Sequence, residues 1–190
     1  MGQGDAVTDI REDGDPLWVF AYGSLLWNPE FEPAERRRAV LRDFHRSFAM
    51  RSIHHRGTEA APGLVLALDF EEGATCTGLA LRVREEERRE VMEALRAREL
   101  ISSAYLEKRV VLETDEGEVP ATAFVIDREH QQYCGGLPLD VQAGIIATAS
   151  GGRGPNADYL FETMRALRGL GIGDPDLHVL EEMVHKRITG

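Results

Sequence analysis

Stretches with the alternation of a β-strand all lie before residue 127, whereas most with the repeat of a helix lie after residue 138. The strand pattern covers residues 17–22, 40–51, 64–70, 75–83, 105–113 and 118–126. Glu71-Glu72-Gly73 reads as a turn between the third and fourth of these. Thr114-Asp115-Glu116-Gly117 reads as the turn of a hairpin between the last two. Pro120 has no N–H to give to a ladder, which predicts an edge there. Helical spacing covers residues 84–98, 139–149, 157–169 and 176–188. Asn156 is placed to cap the third helix, and Gly169 and Gly171 to stop it. Leu177, Leu180, Val184 and Ile188 give the last helix its apolar stripe. Strands first and helices last predict an α+β fold with a mostly antiparallel sheet curled into a barrel. A chain of 190 residues, 43% hydrophobic, suits one domain with a full core. We place that domain at residues 16–190. Residues 1–15 are polar and acidic, without the basic and apolar regions of a signal peptide, and read as a flexible tail.

The formal charge is −11. Nucleic acid is therefore not an expected partner, and the run Glu35-Arg36-Arg37-Arg38 reads as a solvated strand edge. A small anionic substrate remains compatible, because a local site overrides net charge. No segment approaches the roughly 18 apolar residues of a membrane span, so no membrane partner is expected. Cys76 and Cys134 are the only cysteines and form no CxxC pair. That spacing argues against a zinc site and a disulfide scaffold, and for a cytoplasmic protein. The pattern selects no oligomeric state.

Two features point to chemistry. The first is Glu99. Val91 and Leu95 lie four residues apart on one helical stripe, and the next step of that stripe is Glu99. Burial raises a carboxylate's pKa, which suits a general acid/base. If the helix ends sooner, Glu99 is only a solvated charge. The second feature is VFAYGSLLW, residues 19–27, where Gly23 and Ser24 interrupt an apolar run. A Gly-containing turn after a strand can present consecutive N–H groups to an anion. The alternative is a kink in the strand.

Other motifs carry less. SGGRGPN, residues 150–156, lacks the Gly-Lys-Ser/Thr ending of a phosphate loop and reads as a flexible loop leading into a helix. His54 and His55 would face opposite ways on a strand and could not share a metal. Cys76 reads as core. Cys134, with His130 the nearby partner, is a weak thiol-nucleophile candidate. No metal or cofactor is expected.

YGSLLWNPEF, His55-Arg56-Gly57 followed by Pro62-Gly63, Arg98-Glu99, Gln132-Tyr133 with Gly135, SGGRGPNADYL and DPDLHVLEEMV occur in order. Together they resemble the ChaC-type γ-glutamylcyclotransferases over residues 17–184. The resemblance implies that family's α+β barrel, with flanking helices in a single domain. It implies cleavage of glutathione to 5-oxoproline and cysteinylglycine without a cofactor. It assigns the γ-glutamyl group to the turn Tyr22, Gly23, Ser24, Leu25 and Leu26, and the acid/base role to Glu99. Tyr105 matches a tyrosine of relatives and is expected to line the site. Ala21 stands where many relatives have glycine, and the link from Leu100 to Ala104 is longer than in some members. Arg56, His55, Tyr133 and Arg153 are candidates for reading the Cys-Gly portion. Two alternatives stay open: a cyclotransferase for other γ-glutamyl peptides or amines, and a non-enzymatic module linked to cation transport.

Overall fold

The computed structural model describes residues 14–101 and 103–190. Residues 1–13 of the expected tail, and Ser102 in the link after Glu99, lie outside the described residues. The chain runs β1 (Trp18–Ala21), a 3-10 turn (Ser24–Leu26), β2 (Glu35–Ser52), β3 (Gly63–Arg82), a second 3-10 turn (Glu85–Glu87) and α1 (Arg88–Glu99). It continues through β4 (Tyr105–Thr114), β5 (Gly117–Ile126), α2 (Leu139–Thr148), β6 (Ser150–Gly151), β7 (Gly154–Pro155), α3 (Asn156–Gly169) and α4 (Pro175–Thr189).

The five long strands close a barrel in the order β1-β3-β2-β4-β5. All its neighbours are antiparallel except β1 and β5, which close it in parallel at Val19 and Thr122. The sheet is therefore mostly antiparallel and closed into a barrel, as expected, with one parallel pairing that makes it mixed. Pro120 pairs with Val111 of β4 and lies outside the single bridge to β1, where no N–H is required. The run from Glu35 to Arg38 pairs with β3 on one side only, because β4 joins β2 only at Ala39 and Val40, so it is an edge locally, as expected. It opens β2, which lies between β3 and β4, and Arg37 there covers the Trp18 ring at 4.7 Å.

The expected strands 64–70 and 75–83 are one strand, β3. Arg42 faces Thr75 and Phe44 faces Phe70, so residues 71–74 bulge out opposite Asp43 while β2 remains the partner on both sides. Gly73 takes a φ of 80°, and its N–H donates to the Asp43 carboxylate at 2.8 Å. The glycine signal marks a bulge rather than a reversal of the chain.

A second register shift, between Ser47 and Met50 of β2, falls opposite Leu66. Here β3 finds its polar partners in side chains. The Asn156 amide accepts from Leu64 N–H and donates to Leu64 C=O, each at 2.7 Å. Leu66 N–H donates to Tyr159 Oη at 3.2 Å, and Tyr105 Oη donates to Leu66 C=O at 2.8 Å. Asn156 is thus not the helix cap read from the sequence. It is the first residue of α3, fully buried, and acts as a surrogate strand for β3. SGGRGPN is likewise not a flexible loop. It forms the β6–β7 hairpin, which donates from Gly152 N–H to His54 C=O and from Arg153 N–H to His55 C=O. Asp174 caps α4 by accepting from Leu177 N–H.

Two apolar clusters fill the molecule. One holds Phe20, Phe48 and Leu64 together with the inner faces of α2, α3 and α4. The other holds Val19, Leu81 and Phe124 under Val91, Met92 and Leu95 of α1.

Candidate active site

A cavity of about 140 Å³ opens at one end of the barrel. The turn after β1, the end of α1, the start of β4, α3 and the loop after β2 all contribute to its wall.

The turn is held from behind. The buried Arg46 donates to Tyr22 C=O at 2.7 Å and pairs with the Asp174 carboxylate at 3.1 Å. Leu26 N–H donates to Gly23 C=O, and the N–H groups of Trp27 and Asn28 donate to Ser24 C=O. These bonds wind the 3-10 turn. As at any helical start, the first amides are left over. Among the described residues, no acceptor takes the N–H of Gly23, Ser24 or Leu25. Trp27 anchors the turn by donating its indole N–H to Thr163 Oγ1 at 3.1 Å and meeting the Tyr159 ring edge-on. Tyr22, Gly23, Ser24 and Leu25 line the cavity. Leu26 does not: it packs between the two apolar clusters, because the 3-10 turn rotates it inward.

Glu99 is the last residue of α1, and its side chain is 15% exposed. The stripe of Val91 and Leu95 therefore does continue to it, and it faces the cavity. Burial pushes its carboxyl above the usual range, Arg98 and Arg153 oppose that, and Glu30 adds to it. The carbonyl end of a helix adds further disfavour to negative charge. Arg98 ties the carboxylate to the turn. Its Nε lies 3.3 Å from Glu99, while its Nη atoms donate to Asn28 C=O and Ser24 Oγ at 2.7 Å each. Arg98 is 8% exposed, so it is structural glue rather than a free cation.

Three buried tyrosines complete the wall: Tyr22, Tyr105 and Tyr159. Tyr22 Oη donates to Phe124 C=O at 2.9 Å. Burial raises all three phenols, with Glu99 adding to each, so they stay protonated at neutral pH. The sequence reading missed Tyr159. Its place on the buried face of α3 looks like ordinary core, and its partner Leu66 is far away in the chain.

Of the candidates for the far end of a substrate, His55, Arg56 and Arg153 line the cavity. His54 and His55 lie in bends after β2, not on a strand. His55 Nε2 is buried with no partner among the described residues, and burial and then Arg153 lower its pKa, keeping it neutral. Arg56 donates to Pro155 C=O at 3.0 Å. Tyr133 is elsewhere: it donates to Asp69 at 2.8 Å. Cys134 does not line the cavity, and burial raises its thiol. His130 Nδ1 accepts from Gln132 N–H. Among the described residues, no group of His, Cys, Asp and Glu could hold a metal ion.

A barrel with a buried carboxylate and unclaimed amides at one end defines a γ-glutamylcyclotransferase-like fold. It superposes on a crystal structure of a glutathione-specific γ-glutamylcyclotransferase from yeast with a TM-score of 0.84, covering 92% of this chain and 97% of that one at 23% identity. The chain belongs to the ChaC-like protein family, whose model matches residues 17–187. It is 40% identical over 185 residues to a glutathione-specific γ-glutamylcyclotransferase of Escherichia coli K12, covering 97% of this chain and 79% of that protein. It is 34% identical over 174 residues to glutathione-specific γ-glutamylcyclotransferase 1 of Rattus norvegicus, covering 88% and 78%.

Proposed function

We propose that this protein degrades glutathione by cyclising its γ-glutamyl group, releasing 5-oxoproline and cysteinylglycine. Its relatives carry that activity in their names. The observation that carries the reading in this chain is Glu99, a carboxylate of raised pKa in a cavity beside the turn's unclaimed amides.

The substrate holds its own nucleophile. The α-amine nitrogen attacks the side-chain carbonyl carbon, a five-membered lactam closes, and the bond to the cysteine nitrogen breaks. Holding the reactive conformer is most of the task, and orientation of this kind can contribute about 7–11 kcal/mol. The turn Tyr22 to Leu25 does the holding, with Tyr105 beside it. The α-ammonium gives up one proton to solvent before attack. Glu99 takes a second from the attacking nitrogen as the lactam bond forms and gives it to the leaving nitrogen. One carboxylate serves both steps when its pKa lies toward working pH. Arg153 and Arg56 at the cavity favour a leaving group that carries a carboxylate, as the glycine end of glutathione does, over an uncharged γ-glutamyl amine. The reading places the reaction in the cytoplasm, in keeping with two unpaired cysteines.

Purified protein and its Glu99→Gln variant, incubated with glutathione without added metal, test this by mass spectrometry of 5-oxoproline. Product from the wild type alone is expected. Product from both would remove Glu99 from the mechanism. Product only from other γ-glutamyl compounds would move the substrate assignment to them.

A further inference from the structure

The three cavity tyrosines differ in what their hydroxyls have left to offer. A phenol has one proton to donate and lone pairs to accept with. Tyr22 spends its proton on Phe124 C=O, and Tyr105 spends its proton on Leu66 C=O. Either can only accept from a substrate. Tyr159 is the reverse. Its oxygen accepts from Leu66 N–H, and among the described residues no acceptor takes its proton. Tyr159 is also 6% exposed and lines the cavity, so the unspent donor is buried and faces the substrate space.

Its position is set by the turn. A Cβ built on Gly23 would lie 3.3 Å from Tyr159 Oη. The hydroxyl therefore lies against Gly23, at the start of the turn whose Gly23, Ser24 and Leu25 amides also lack acceptors among the described residues. Donors of two kinds thus line the same cavity. Edge-on contacts of the ring with Trp27 and Phe48 fix its direction.

We infer that Tyr159 is a further catalytic residue: its hydroxyl, with the turn amides, donates to the oxyanion formed at the γ-carbonyl oxygen during cyclisation. The inference rests on the cyclisation reading above. As the neutral α-amine nitrogen bonds to the carbonyl carbon, the carbonyl π pair moves onto oxygen and Glu99 takes a proton from that nitrogen. Tyr159 keeps its own proton and hydrogen-bonds the charge. When the pair returns, the bond to the cysteine nitrogen breaks, and the proton on Glu99 passes to that nitrogen. Burial pushes the Tyr159 hydroxyl up to about 12, so it remains a donor at working pH. Preorganised donors act on charge that develops in the transition state, and so affect turnover more than substrate binding.

The test is steady-state kinetics of Tyr159→Phe with glutathione, beside Tyr105→Phe, which removes the other tyrosine bond to Leu66. We expect Tyr159→Phe to lose about 10²- to 10³-fold in kcat with KM changed less than about threefold. Tyr105→Phe should lose at least about tenfold less in kcat than Tyr159→Phe. An unchanged kcat, a change confined to KM, or equal loss in both variants would overturn the assignment. Should Tyr159→Phe fail to fold, 3-fluorotyrosine placed at position 159 keeps the shape and ionises at lower pH. The alkaline fall in kcat must then move to lower pH, and an unmoved fall overturns the role. A wild type that turns over γ-glutamyl compounds while Tyr159→Phe matches it sinks this inference alone. A wild type that turns over none sinks the cyclisation reading with it.

Discussion

Glu99 ends a helix whose other acids face solvent, and its location imposes a cost on the fold. Its pKa is raised in the folded protein. At pH values below its unfolded pKa, both states hold the proton and Glu99 does not penalise folding. As pH rises through the raised folded value, the carboxyl must ionise in a place that resists charge, and that stability is lost. Glu99→Gln is therefore expected to melt at a higher temperature than wild type at pH 7. The difference should vanish below the ordinary carboxylate range, as scanning calorimetry at several pH values would show. The same variant should lose about 10²- to 10⁴-fold in kcat. The acid limb of kcat/KM in the wild type should lie above the ordinary carboxylate range. Gain of stability with loss of turnover marks a group kept for chemistry. At Gly23, a Val side chain would press on Tyr159 Oη and Leu66 and stand before the amides. Loss of one charge-assisted hydrogen bond, about 1.5–3 kcal/mol, predicts a fall in kcat/KM of about ten- to a hundredfold; unchanged kcat/KM would mean the turn is only a kink. Glu99 was legible because a carboxylate in phase with Val91 and Leu95 breaks a local pattern. Tyr159 was not, because its use depends on whether Leu66, on another element, takes a bond or gives one.

Among the elements, β3 shows where local pattern stops. Alternation located both of its halves, and Gly73 correctly marked an irregularity. Only the register against β2 distinguishes a bulge from a turn, and register is a property of two strands. The hairpin of β4 and β5 was legible because its turn and both strands are contiguous. Asn156 teaches the same lesson in reverse. Asn before an apolar helix is a sound capping signal, yet the tertiary demand of Leu64 claims its amide. That demand yields a prediction. Asn156→Ala strands a buried N–H and a buried C=O, at about 1–3 kcal/mol each, and should lower the urea midpoint accordingly. Asn156→Asp can still accept from Leu64 N–H but cannot donate to its C=O, so it too should destabilise. Wild-type midpoints in both variants would show that the pair contributes nothing to stability. Since α3 carries both Asn156 and Tyr159, the helix that completes the open edge of β3 also delivers the phenol to the cavity.

For the whole molecule, charge and site pull in opposite directions. A chain of formal charge −11 repels an anionic tripeptide at long range, whereas Arg153 and Arg56 meet it at the cavity. The two terms have different reach. Beyond the Debye length, about 8 Å at physiological ionic strength, the net field is screened, while contacts at the cavity are screened much less. Salt should therefore remove repulsion before it removes attraction. Between low and physiological ionic strength, kcat/KM for glutathione is expected to rise, and that for an uncharged γ-glutamyl amine to stay flat. Arg153 is 44% exposed and 3.8 Å from Glu30, so its contribution is that of an exposed pair. Arg153→Ala should raise KM for glutathione by about two- to fivefold, corresponding to about 0.5–1 kcal/mol, and leave the uncharged substrate unaffected. A kcat/KM that falls with salt would mean that the cavity's cations outweigh the net charge at long range too. Equal losses for both substrates in Arg153→Ala would mean that the arginine shapes the hairpin rather than reading a carboxylate.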